Sequence, residues 1–191
     1  LLGIIKTVPG GENYIADDLD SWLIGPLSIL FKLNNGYVRQ TQQLRAALER
    51  ELAILAARKC TPLDAAELWR ILSSIDKAED EKTRGELDKE LHTQIAKIAD
   101  NPMIYSVLAA ADQLTENIIA GTRDYIMKKN RPEFKVDEQH RLLVEAIINN
   151  DEKGAEQYMS EHMEIIEKCM DEMQKNSNNK RPANGIVIGG E

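Results

Sequence analysis

From Val38 to about Lys175 the chain reads as a succession of helix-period segments separated by breaks of only a few residues. That punctuation leaves few folds open, because short links between amphipathic helices lay neighbours antiparallel in one bundle. The breaks are chemically explicit. Asn34-Asn35-Gly36 is a stop. Thr61-Pro62-Leu63-Asp64 combines a capping hydroxyl, a first-turn proline and an acid three residues after the cap. Asp100-Asn101-Pro102 and Asn130-Arg131-Pro132 interrupt the pattern, and Asn150-Asp151 ends one helix and caps the next. The spacing predicts helices over 38–59, from Pro62 to about Ile75, up to about Ala99, from Pro102 to about Lys129, over 137–149 with Asp137 as N-cap, and on to about Lys175. Their expected buried faces carry Leu44, Leu48, Leu52 and Leu55; then Leu63, Leu68 and Leu72; then Leu87, Leu91, Ile95 and Ile98; then Ile104, Leu108, Ala111, Leu114 and Ile118.

Upstream, residues 3–15 read as a β-hairpin, with Ile4, Ile5 and Val8 before the Pro9-Gly10-Gly11 turn and Tyr14-Ile15 after it. A lone two-stranded hairpin is marginal in water, so it is expected to belong to something larger. A helix follows from Asp17 or Asp18 to about Leu33, with Trp22, Leu23, Leu27, Leu30 and Phe31 on its apolar face and Pro26 as a kink point. The polar stretch 176–191 is expected to be a mobile tail. The chain opens on Leu1-Leu2 without a methionine, so a preceding segment is expected in the gene product.

Composition sharpens the class. With 42% hydrophobic, 29% charged and only 5% aromatic residues, the chain has the profile of a soluble helical protein. A net charge of −8 argues against its gripping nucleic acid by itself, since phosphate binding needs a basic surface. No apolar run reaches the length of a membrane span, and no signal peptide is visible. Cys60 and Cys169 are isolated thiols without metal-ligand spacing, suited to a reducing cytoplasm and read as ordinary buried small residues.

Chemistry concentrates on the 3 histidines. Asp88 and His92 stand four apart, so a carboxylate and an imidazole project side by side at the margin of a buried stripe. His140 shares a face with Leu143, Val144 and Ile147, and His162 with Met159, Ile166 and Cys169. Imidazoles directed into a bundle with one carboxylate beside them form a donor set for a first-row transition metal. Spacing alone leaves open the plainer alternatives: satisfied core histidines and an ordinary i,i+4 pair.

The order Asp88-x-x-x-His92, then Glu138-Gln139-His140-x-x-Leu143-x-x-Ala146-Ile147-x-x-x-Asp151-x-x-x-Ala155, then Met159-x-x-His162, resembles the effector-binding (FCD) domain of FadR-type regulators in the GntR family. Leu44-Arg45-x-x-Leu48-Glu49-x-x-x-Ala53-x-x-Ala56-Ala57 is similar to that domain's first core helix, and the likeness spans about residues 38–172. The resemblance implies an all-α antiparallel bundle of about six to seven helices. It further implies one divalent ion on Asp88, His92, His140 and His162, with Zn²⁺ the first choice and Ni²⁺, Mn²⁺ or Fe²⁺ as alternatives. The metal's open positions are then expected to take a small carboxylic-acid effector, with Arg45 as its cation and Asn117 as a hydrogen-bonding partner. Leu2-Gly3-Ile4-Ile5-x-x-Val8-x-Gly10-Gly11-x-x-Tyr14-Ile15 is similar to the wing of a winged-helix domain whose groove-reading helices are missing.

The organisation so implied is a wing remnant over 1–16, a linker helix over 17–36, the effector-binding domain over 37–175 and a tail over 176–191. The intact protein is then expected to be a cytoplasmic homodimer that binds operator DNA through its N-terminal domain, with no membrane association. Leu91, where the family often has an aromatic before the first histidine, and Gln139, where many members place Glu, depart from the pattern without removing a ligand. One rival is a metal-dependent enzyme, a hydrolase or oxygenase on a helical bundle. Another is a metal-free helical dimerisation domain with structural histidines.

Overall fold

The computed structural model describes residues 5–7, 13–15, 26, 38–128 and 136–179. Its helices are α1 (Val38–Lys59), α2 (Pro62–Lys77), α3 (Glu81–Ala99), α4 (Pro102–Lys128), α5 (Val136–Ile148) and α6 (Glu152–Asn179). Upstream, β1 (Ile5–Thr7) and β2 (Asn13–Ile15) pair antiparallel with Ile5 opposite Ile15, as the hairpin reading expects. The expected helix over 17–33 lies outside the described residues apart from Pro26, as does the segment 180–191.

Local chemistry sets the boundaries. Thr61 caps α2 reciprocally: its hydroxyl accepts from the Asp64 amide at 3.3 Å, and the Asp64 carboxylate accepts from the Thr61 amide at 3.0 Å. Asp80 caps α3 by accepting from the Thr83 amide at 2.8 Å. At the other end of α3, Asp100 turns left-handed at φ 47°, and Lys59 Nζ donates to the Ala99 carbonyl at 2.8 Å. A cation thus meets carbonyls that the helix end leaves without intrahelical donors. Between α5 and α6, Asn150 adopts φ 57° and its side-chain amide donates to the Ala57 carbonyl at 2.7 Å, tying this turn to α1. Asp151 then caps α6 through the Gly154 amide at 3.0 Å. Gly154 is needed there, because a Cβ would stand 2.4 Å from Asp151 Oδ2.

α1 is the hub of the bundle, packing against α3, α4, α5 and α6. Its C-terminal half gives the core Leu52, Ala53, Ala56 and Ala57, small enough for neighbouring helices to approach closely. Leu91 and Ile95 of α3, Leu143, Val144 and Ile147 of α5, and Met159 and Met163 of α6 complete this centre. α2 docks on α3 and α5 through Leu68, Ile71, Leu72 and Ile75. Each such side chain contributes about 1.5–3 kcal/mol on burial.

Several expected details differ. Leu44 is 39% exposed and Leu63 81% exposed, so neither belongs to the core. On α1 the inward line is instead Gln42, Arg45, Glu49, Leu52 and Ala56, whose alternating three- and four-residue steps follow one helix face. Its first half is polar, which a search for leucine spacing passes over. Asp137 lies within the first turn of α5, where it pairs with Arg84 at 2.9 Å, rather than at the cap position. α6 runs on to Asn179, past the expected end near Lys175. Cys169 is buried as expected, whereas Cys60 is only half-buried. No helix among the described residues is long and apolar enough to cross a membrane.

Candidate metal centre

The three histidines arrive on three helices, His92 on α3, His140 on α5 and His162 on α6, and converge inside the bundle. One potential ligand atom from each lies within 4.8 Å of the other two. Ring centroids are 5.6 Å apart for His92–His140, 5.1 Å for His92–His162 and 4.6 Å for His140–His162. His140 is 1% exposed and His162 4%. Asp88, one turn before His92, places Oδ1 3.1 Å from His140 Nε2.

Around this cluster lies a second set of polar groups from α1 and α4. Glu49 is 2% exposed, and its Oε2 is in direct contact with His92 Nδ1. Its other oxygen, Oε1, accepts from Arg45 Nη2 at 2.7 Å. Arg45 also donates through Nη1 to Gln42 Oε1 at 3.1 Å and through Nε to Asp112 Oδ1 at 2.5 Å. The buried guanidinium is therefore held on three sides.

Electrostatics follow from this packing. Burial opposes charge on Glu49, but His92 and Arg45 outweigh it and bring the carboxyl down to about 2. Burial likewise opposes the His92 cation, yet Glu49, with Asp88 adding, carries its pKa up to about 9. His162 goes the other way: burial, then repulsion from His140 and His92, push it well below the ordinary histidine value. Asp112 is raised, chiefly by burial and against the pull of Arg45.

The donor set fits a divalent ion. His162 Nδ1 is buried and has no hydrogen-bond partner among the described residues, an expense that ligation would relieve. A neutral imidazole is also the form that ligates. Neighbouring donors at bond lengths near 2.1 Å stand about 3.0–3.4 Å apart, so an ion would draw the three imidazoles closer than the 4.8 Å that bounds their spacing here. The Asp88–His140 separation is close to the roughly 3.0 Å expected between adjacent ligands at right angles.

Of the sequence-predicted site residues, His92, His140 and His162 come together as one cluster, and Asp88 joins it through His140. Arg45 faces the interior one layer away, linked to His92 by Glu49. Asn117 falls on α4, but its side chain lies outside the described residues. Sequence reading missed the roles of Gln42, Glu49 and Asp112. A signal existed for two of them, since Gln42 and Glu49 stand three before and four after Arg45 on the same helix face.

Comparison with known proteins gives one family and several relatives. The model of the FCD domain family matches residues 40–165. The HTH-type transcriptional regulator YcbG of Bacillus subtilis is 28% identical over 169 residues, covering 86% of this chain and 66% of its own length. A protein of Escherichia coli, provisionally described as an L-lactate dehydrogenase operon regulatory protein, is 22% identical over 172 residues, covering 88% of this chain and 66% of its own. The chain thus spans just under two thirds of these relatives. Among solved structures, E. coli McbR/YncC aligns with a TM-score of 0.63 at 15% identity, covering 90% of this chain and 79% of that one.

Proposed function

This chain belongs to the FCD domain family, and on that premise we propose that it senses a small carboxylic acid for a GntR-type transcription regulator, through one divalent ion on Asp88, His92, His140 and His162. The observation that carries the reading is the convergence of three imidazoles from three helices on one buried point, with His162 Nδ1 left without a partner among the described residues. Zn²⁺ is the first candidate, with Ni²⁺, Mn²⁺ or Fe²⁺ as alternatives for this nitrogen-rich set. When bound, the ion supplies a Lewis-acidic anchor with open positions for a carboxylate. The protein's own residues do the rest: Arg45 offers a buried guanidinium for the acid's charge, and Asn117 a hydrogen bond from α4.

The L-lactate dehydrogenase operon named for the E. coli relative suggests a short hydroxy acid as the first probe. The β1–β2 hairpin fits the wing of a winged-helix domain, through which a dimer of the intact protein contacts operator DNA in the cytoplasm. Effector control then requires different affinities of the acid for two arrangements of the bundle. The relatives are transcription regulators, so the hydrolase or oxygenase alternative is set aside. The test is metal content by mass spectrometry on untagged protein, wild type beside His140→Ala. About one ion per chain, lost in the variant, is expected. No metal in wild type after reconstitution with Zn²⁺, Ni²⁺ or Mn²⁺ sinks the metal-carboxylate mechanism and leaves the metal-free dimerisation domain.

A further inference from the structure

Glu49 stands outside the ligand set, yet it is the buried acid among the described residues. A carboxylate so placed is costly unless both oxygens are engaged. Here they are, and with different elements. Oε1 accepts from Arg45 of the same helix at 2.7 Å, while Oε2 meets Nδ1 of His92 on α3. Neither Oε2 nor His92 Nδ1 has an aligned hydrogen-bond partner among the described residues, and the two atoms face each other as a close ion-pair contact.

This has a chemical consequence for His92. An imidazole that turns Nδ1–H to a carboxylate has one tautomer left for ligation, with its lone pair on Nε2. The carboxylate also fixes the ring plane and strengthens the ligand. Glu49 is in turn braced through Arg45 by Gln42 on α1 and Asp112 on α4. His92 is thus joined, through its close contact with Glu49, to a polar chain on two further helices.

We infer that Glu49 is a positioning residue for the metal centre: its Oε2 holds His92 with Nδ1 turned away and Nε2 presented to His140 and His162, while its Oε1 holds Arg45, joining the cation-binding and anion-binding halves of the site through one carboxylate. This rests on the metal reading above and adds a residue to it. An acid drawn to Arg45 acts on the same carboxylate that sets His92.

Two measurements test it. In zinc-loaded wild type labelled with ¹⁵N-histidine, long-range proton–nitrogen spectra, assigned with His140→Ala and His162→Ala, are expected to give His92 a protonated Nδ1 and a zinc-bound Nε2. Zinc on Nδ1 of His92 overturns the inference while the metal site stands. Glu49→Gln keeps shape and removes charge, and its zinc affinity, measured by competition with a chelating dye, is expected to fall about 10–100-fold with stoichiometry and helical circular dichroism unchanged. Unchanged affinity in that variant overturns the inference. If Glu49→Gln does not fold, the wild-type tautomer decides alone. Wild type that binds no zinc overturns the metal reading and this inference together, an outcome distinct from the other two.

Discussion

Arg45 Nε donates to Asp112 Oδ1 at 2.5 Å, so the cation proposed to meet a carboxylate ligand already carries a carboxylate from within the protein. The Asp112 side chain is 32% exposed and that of Arg45 9%, which places the acid on the solvent side of the pair. An incoming acid must displace Asp112 or share the guanidinium with it. Asp112→Asn is therefore expected to tighten L-lactate binding to the zinc-loaded protein by about fivefold, near 1 kcal/mol for a partly solvated pair. Arg45→Ala should abolish it. Calorimetric titration decides; weaker binding to Asp112→Asn would make Asp112 part of the ligand's own contacts.

Metal removal should lower stability in a way that depends on the histidines. With free zinc at about a hundred times its dissociation constant, linkage adds about 2.7 kcal/mol, or roughly 5–10 °C in Tm for a domain of this size. Chelator should erase that increment in wild type and do nothing to His162→Ala. Differential scanning fluorimetry reads both, and equal responses in the two proteins would exclude His162 as a ligand.

The helix that contributes nothing to the centre offers a control. Ile71 of α2, a helix that carries none of the three histidines, is 0% exposed in the core. Ile71→Ala should cost about 2–5 kcal/mol in urea denaturation while the folded fraction keeps its zinc stoichiometry. Loss of zinc at unchanged stability would show that α2 shapes the site after all.

The thiols should differ in reactivity. Cys60 is half-buried and its pKa is raised, first by burial and then by the Asp64 carboxylate nearby. A raised value means less thiolate near neutrality, so alkylation of Cys60 should lag a free thiol at about pH 8 and accelerate further into alkali. Cys169, 0% exposed, should react only on unfolding. Peptide mapping after timed iodoacetamide treatment separates the two, and a Cys60 rate equal to glutathione would contradict the raised value.

Several helix ends were legible because capping is local chemistry: Thr61, Asp100 and Asp151 act within a turn of themselves, although the Asp80 cap went unread. His140 and His162 were legible because each shares a face with apolar residues that have one place to go, and His92 because it stands four after Asp88 at the margin of a buried stripe. The inner face of α1 was not, since Leu44, expected in the core, is exposed and Leu48 only packs against its margin. Gln42, Arg45 and Glu49 are buried only because α3 and α4 bring His92 and Asp112 to meet them, a tertiary fact that no spacing on α1 contains. Leu63 shows the converse: a large apolar residue left at the surface because the cap beside it fixes which way the first turn of α2 faces.

His92 is separated from His140 by the whole of α4, while His140 and His162 sit on the adjacent helices α5 and α6, and the three-imidazole set needs all of them. No folding intermediate lacking α3, α5 or α6 can offer the full set. On the proposed metal reading, capture of the ion would belong at the end of folding, its rate set by when the last of these helices docks. On that reading, an unfinished copy would not yet hold the ion and a damaged one would lose it, so occupancy would mark finished molecules.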